Sequence, residues 1–195
     1  MLTRFKEKFA VILDWLYRLL EPLNLPPNAV TLAGLAACFA GYAALRLGFF
    51  ELLVALFALS CLADALDGYI ARKRNAASTF GAFLDSVTDR IEDAVFGIAL
   101  YDIGLLSQHE AFFLITGFFM VSYAKSRGES LGVPMAGVGF AERAERLVLI
   151  FLALLLSRFW WAAARATVLV LFAATYSTVL QRVAHAYKQL RVRRA

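Results

Sequence analysis

The chain has 195 residues, 61% of them hydrophobic, with 20 Lys and Arg against 15 Asp and Glu and a formal net charge of +5. A mean hydropathy of +0.67 excludes an ordinary water-soluble domain, and in a membrane protein the basic excess faces anionic lipid headgroups rather than nucleic acid. The two cysteines, Cys38 and Cys61, sit in apolar runs and read as small core residues.

Residues 3–20 are amphipathic. Phe5, Phe9, Ile12, Leu16 and Leu19 share one face while Arg4, Lys6, Lys8 and Arg18 lie elsewhere, which predicts a helix lying in the membrane interface or packed on the body of the protein. The same charges, with Asp14, interrupt any signal-peptide core. Pro26-Pro27 breaks the chain and Asn28 is placed to cap the following helix, a first span over residues 29–50 in which Gly34 and Gly41 allow close packing. The second span is expected over 51–74 and the third over 78–106, joined by the short Asn75-Ala76-Ala77. After a turn at Ser107-Gln108-His109-Glu110, the fourth begins at Ala111 and ends in SYAKSRGESLG. The next loop contains Gly132, Pro134, Gly137 and Gly139 and is expected to have room to move. The fifth span starts in AERAERLV and reaches about residue 157. The sixth covers about 159–181 and runs into a basic tail of Arg182, Lys188, Arg191, Arg193 and Arg194.

The expected fold is therefore an all-α integral membrane protein in one domain, 1–195, with an interfacial helix (3–20) and a six-helix transmembrane bundle (28–190). Of the 20 Lys and Arg, only Arg46, Arg158 and Arg165 belong near the side opposite both termini. The positive-inside bias then makes the terminal side cytoplasmic, for a multi-pass protein of the cell membrane.

Four aspartates interrupt the second and third spans within DALDGYIARKRNAASTFGAFLDSVTDR, residues 64–90. Asp64 and Asp67 share a helix face, with Gly68, Ala71 and Arg72 close to it; Gly81, Asp85 and Asp89 line one face of the next helix. A single intramembrane aspartate is often half of a structural ion pair, and Arg72, Arg74 or Arg90 offers the other half. Four at helical spacing, with glycines on the same face, point to function. Unaided, such carboxylates repel one another and protonate. Two divalent cations balance the four negative charges, and oxygen-only ligands favour Mg²⁺ first and Mn²⁺ second. The absence of His and Cys from the stretch argues against zinc.

Asp64-x-x-Asp67-Gly68-x-x-Ala71-Arg72, eight residues, then Gly81-x-x-x-Asp85-x-x-x-Asp89 resembles the signature of the CDP-alcohol phosphatidyltransferases at every fixed position. The resemblance implies metal binding by Asp64, Asp67, Asp85 and, in part, Asp89, with Asp89 as the base that takes a proton from an attacking hydroxyl. It implies a CDP-lipid site at Asn28, Thr31, Gly68, Arg72, Ser78 and Gly81. The reaction it implies is attack of an alcohol on the lipid-side phosphorus of a CDP-lipid with release of CMP, in a protein that is usually a homodimer. By chemistry alone, Gly68 and Gly81 also suit close packing, Arg72 also suits snorkelling to the interface, and Ser78 and Asn28 also suit helix starts.

Lys125 and Arg127 end the fourth span, and Arg143 and Arg146 begin the fifth. Pairing of Lys125 with Glu129 and of Glu142 with Arg146 would suffice for surface charges, but the cluster also suits an anionic acceptor. SYAKSRGESLG followed by AERAERL resembles the phosphatidylinositol-phosphate synthases and their archaeal relatives, although Ala144 stands where that branch often has proline. This resemblance implies inositol 1-phosphate as acceptor, its phosphate held at Lys125 and Arg146, and CDP-diacylglycerol or CDP-archaeol as donor. Glycerol 3-phosphate is the alternative acceptor. A divalent-cation transporter built on the same acids is a rival of another class, which the arginine beside them disfavours.

Overall fold

The computed structural model describes the backbone of residues 2–192 and the side chains of residues 11–191. Phe5, Phe9, Arg4, Lys6, Lys8, Arg193 and Arg194 lie outside the described side chains. The described residues form seven α-helices and no strand: α1 (Leu2–Leu20), α2 (Pro27–Arg46), α3 (Phe50–Lys73), α4 (Thr79–Asp102), α5 (Gln108–Ser130), α6 (Arg143–Ser157) and α7 (Trp161–Val192). They make two compact units, residues 1–95 and 96–195, and α4 runs through the boundary.

In the first unit, α2 and α3 form a tight pair joined by Leu47-Gly48-Phe49, where Gly48 takes the left-handed conformation (φ +87°) that the reversal requires. Gly34 and Gly41 set the closeness of the pair. A Cβ at Gly34 would come 2.9 Å from the Ala63 Cβ, and one at Gly41 would come 2.8 Å from Phe57 Cδ1. The amphipathic helix divides its apolar residues between two surroundings. Leu13 and Tyr17 are buried with Val30, Leu66 and Ile70, and Leu16 packs on the same cluster. Ile12, Trp15 and Leu19 remain exposed. The single apolar stripe expected at Ile12, Leu16 and Leu19 is thus split, with Leu16 on the protein side.

Asn28 does not cap α2. Pro26 is the extended residue at the cap and Pro27 takes the first helical position, where its missing N–H costs nothing. Asn28 therefore falls inside the first turn, and its side chain is left for another use. Ser78 does cap α4: its hydroxyl accepts from the Gly81 N–H at 3.0 Å.

In the second unit, α5 begins earlier than expected. Ser107 and Glu110 form a reciprocal capping box, so the residues read as a turn are the helix start. Glu110 also pairs with Arg165 of α7, which donates to the Leu105 carbonyl at 2.8 Å. That environment, chiefly the Arg165 guanidinium and then the Ser107 N–H and hydroxyl, lowers the Glu110 carboxyl from its ordinary 4.5 to about 2.

The loop between α5 and α6 is pinned rather than free. Thr178 Oγ1 accepts from the Ala141 N–H, Gln181 Oε1 accepts from the Phe140 N–H, and Arg182 Nε donates to the Val138 carbonyl. His185 Nε2 sits 3.1 Å from the Pro134 carbonyl. Residues 178, 181, 182 and 185 lie along one side of α7, and α7 itself continues unbroken through the stretch expected as a tail. Arg182 is 2% exposed, and its Nη1 also donates to the Val121 carbonyl at 2.6 Å. Among the described residues, two helical stretches, Pro27–Arg46 and Trp161–Arg191, are apolar and long enough to cross a membrane by length and composition.

Candidate active site

α3 and α4 present the acids. One carboxylate oxygen from each of Asp64, Asp67 and Asp85 lies within 4.8 Å of the other two. The donors are oxygen-only and already gathered, so the set fits a hard divalent cation. Thr31 of α2 donates to Asp67 Oδ2, and the Pro27 carbonyl lies 3.2 Å from the same hydroxyl oxygen. Asp67 is thereby oriented by the helix that opposes it. Asp89 lies one turn further along α4, outside this triad. Arg90 Nη1 is 3.0 Å from its Oδ2, and the Asp89 side chain is 16% exposed. Of the three arginines considered as partners for the acids, Arg90 takes that part for Asp89. Arg74 turns away, towards residues 17–25.

Beside the triad opens a cleft of about 380 Å³, within the usual range for a small-ligand site. Asn28 and Thr31 of α2, Gly68 and Arg72 of α3, and Ser78 and Gly81 at the start of α4 all line it, together with Asp64, Asp67 and Asp85. The glycines make room for polar groups. A Cβ at Gly81 would lie 3.1 Å from both Asn28 Oδ1 and Ser78 Oγ, so two polar side chains converge over it. A Cβ at Gly68 would lie 3.2 Å from Arg72 Nη1. The space above Gly68 is thus where the Arg72 guanidinium sits, at the mouth of the cleft.

Two buried acids of α4 were not singled out from the sequence. Glu92 accepts from the Ser60 hydroxyl at 2.6 Å, and Asp93 is likewise buried. Asp93 extends the four-residue row of Asp85 and Asp89, a signal that stopping at the motif's end overlooks.

The second unit holds the four basic residues expected at the acceptor's phosphate. Lys125 and Arg143 are half-buried and Arg127 is exposed, its Nη1 3.4 Å from Ser130 Oγ. Arg146 is 1% exposed, its guanidinium carbon 4.9 Å from the centre of the Phe118 ring. Glu142, considered as a partner for Arg146, reaches Arg182 Nη2 at 3.5 Å. Arg182 itself belongs to the expected basic tail. Its signal is the polar row Thr175, Thr178, Arg182, His185 at helical spacing.

Residues 24–180 match the model of the CDP-alcohol phosphatidyltransferase family. An archaetidylinositol phosphate synthase of Pyrococcus horikoshii is 34% identical over 192 residues, covering 97% of this chain and 98% of that one. Two crystal structures of the phosphatidylinositol phosphate synthase of Mycobacterium tuberculosis superpose at 28% identity. One, with CDP-DAG bound, has a TM-score of 0.78 and covers 90% of this chain and 94% of that one. The other, in complex with manganese and citrate, has a TM-score of 0.77 and covers 88% and 87%.

Proposed function

Because the chain belongs to the CDP-alcohol phosphatidyltransferase family, we propose that it moves a phosphatidyl or archaetidyl group from a CDP-lipid to inositol 1-phosphate, releasing CMP. The observation that carries this reading is the single cleft lined by three acids and by all six positions of the expected donor site.

Asp64, Asp67 and Asp85, with Asp89 in part, are the residues to hold two divalent ions, Mg²⁺ or in its place Mn²⁺. Bound there, such ions neutralise phosphate charge and stabilise the departing CMP oxygen. Arg72 stands at the cleft mouth with a planar fork suited to phosphate oxygens. Asn28 and Ser78, converging over Gly81, offer hydrogen bonds to the nucleotide. Thr31 acts by fixing Asp67. Asp89 takes the proton from the acceptor hydroxyl, whose oxygen bonds to the lipid-side phosphorus as the bond to CMP breaks. Arg90 fixes the orientation of that carboxylate.

Lys125, Arg127, Arg143 and Arg146 are the proposed holders of the acceptor's phosphate. A guanidinium as buried as that of Arg146 meets an anion in low dielectric, where the attraction is strong. A neutral acceptor alcohol would need no such cluster.

The membrane arrangement completes the reading. α2 to α7 are six spans, α1 lies in the interface, and the cleft and both termini face the cytoplasm, where CDP-linked substrates are made. Outward apolar side chains such as Phe112 and Phe113 of α5, Val148 and Leu155 of α6 and Leu169 and Leu180 of α7 support contact with lipid. The family match runs across both compact units, which supports treating residues 1–195 as one functional domain, working as a homodimer.

The test incubates purified protein and CDP-lipid with inositol 1-phosphate, glycerol 3-phosphate or inositol, and identifies products by mass. The inositol phosphate lipid is expected, with unphosphorylated inositol a poor acceptor. A glycerol phosphate product alone would reassign the acceptor, and no CMP release with any of them would sink the transferase reading.

A further inference from the structure

The back of α3, opposite the cleft, is tied to the N-terminal segment by a polar network that the proposed chemistry does not use. Asp14 of α1 receives Lys73 Nζ and the Tyr69 hydroxyl, each at 2.7 Å, on one carboxylate oxygen, and Arg18 Nε at 2.9 Å on the other. Lys73, then Tyr69, lower the Asp14 carboxyl from 3.8 to about 2, so it stays ionised across the physiological range. Next along the chain, Arg74 spans three partners. Its Nη1 donates to Asn24 Oδ1 at 3.1 Å and to the Leu25 carbonyl at 3.0 Å, its Nε reaches the Tyr17 hydroxyl at 3.5 Å, and its guanidinium lies over the Tyr17 ring.

The place of these contacts in the chain gives them meaning. Leu25 stands just before Pro27, Asn28 and Thr31, which form one lip of the cleft. Arg74 stands between Arg72 and residues 76–78, which form the other. The segment around Arg74 is itself locked onto α3, since the Ala76 N–H bonds to the Ala71 carbonyl at 2.9 Å and Asn75 takes a left-handed turn. One planar side chain therefore fixes the start of α2 against the end of α3. Asn24, also left-handed, presents its amide oxygen to Arg74 Nη1.

We infer that Arg74 is a positioning residue of the donor site: held by Tyr17, Asn24 and Leu25, it sets the distance between the two lips that grip the CDP headgroup. The inference rests on the reading of the cleft as the CDP-lipid site. Arg74 touches no substrate and acts through Asn28, Thr31, Arg72 and Ser78. Lysine replaces it only in part: one ammonium can serve Asn24 and Leu25 as Nη1 does, but it has no Nε to reach the Tyr17 hydroxyl and no planar group to lie over the Tyr17 ring.

The test measures CDP-diacylglycerol binding directly in detergent, by titration with Mg²⁺ present and no acceptor, and then the KM for each substrate. Arg74→Ala is expected to weaken donor binding and raise donor KM about tenfold. Acceptor KM and Mn²⁺ affinity should change less than about twofold, within the scatter of a surface substitution. Arg74→Lys should recover only part of the loss, and Asn24→Ala should show a smaller shift of the same kind. Should Arg74→Ala not fold, Arg74→Lys and Asn24→Ala carry the test. Donor affinity unchanged in the folded variants, or donor and acceptor KM rising together, overturns the positioning role. If the unmodified protein does not bind the CDP-lipid at all, it is the donor-site reading that fails, and the two failures are thereby distinct.

Discussion

The two compact units treat charge in opposite ways. In the first, carboxylates gather at an accessible cleft, and Asp64 and Asp85 are only half-buried. Crowded carboxylates repel one another, and a divalent cation held among them offsets that repulsion. In the second, the most buried charges are guanidiniums, and Arg182 is consumed by the Val121 and Val138 carbonyls and by Glu142. There the charge organises backbone, and the loop it holds leads directly into the helix that bears Arg143 and Arg146. Acids open to a ligand and an arginine spent on structure call for different experiments, and the contrast can be broken at specific residues.

The largest expected effect is in the cleft. Asp67→Asn should lower the rate of CMP release by on the order of a thousandfold, the scale of removing one strong electrostatic contributor at a reacting centre, and should weaken Mn²⁺ binding. Its melting temperature in detergent should be unchanged or higher, because one of three crowded charges is gone. Unchanged Mn²⁺ affinity in this variant and in Asp64→Asn would contradict the ligand assignment.

Next come Lys125→Ala and Arg146→Ala. Each should raise the KM for inositol phosphate about ten- to a hundredfold, the worth of one charge-assisted contact, and leave donor KM close to its original value. Damage confined to the donor titration would place the cluster outside the acceptor site.

These two sites also differ in how far the sequence alone reveals them. The acids and Gly68, Arg72, Ser78 and Gly81 lie within 64–89 of the chain, on two helices with a five-residue connection at 74–78, so helical periodicity alone brings them to one place. Asn28 shows the limit of that logic. Pro27 at the first helical position shifts the start of α2 by two residues, and the expected cap becomes a cleft residue instead. The pinned loop shows a second limit. Gly132, Gly137 and Gly139 signal turns, and all three adopt positive φ, but nothing local indicates that Thr178, Gln181, Arg182 and His185, some forty to fifty residues on, hold the same backbone. Asp89, one turn beyond the triad on α4, also pairs with its neighbour Arg90, a contact that the spacing of the acids does not indicate.

Arg182→Met sharpens the contrast from the structural side. Losing a buried donor to two carbonyls should cost roughly 2–4 kcal/mol of stability and expose residues 131–142 to proteolysis, while Mn²⁺ affinity in the cleft stays the same. A variant with normal stability and an intact loop would return Arg182 to the ordinary tail charges.

The smallest effect concerns pH. Glu110 is depressed to about 2 from 4.5 by Arg165 and Ser107, so its stabilising contribution is fully present above 4.5 and is lost as pH falls towards 2. Thermal unfolding of the unmodified protein should therefore ease over that window, and Glu110→Gln should flatten part of the slope. An identical slope in both would remove Glu110 from the account.

The central claim is that the aspartate cleft works only as a divalent-cation site serving a CDP-lipid. The most direct measurement is CMP release from CDP-lipid and inositol 1-phosphate by metal-stripped protein, before and after adding Mg²⁺ or Mn²⁺. No release in chelator and recovery with either ion is the predicted result; an undiminished rate in excess chelator would contradict it.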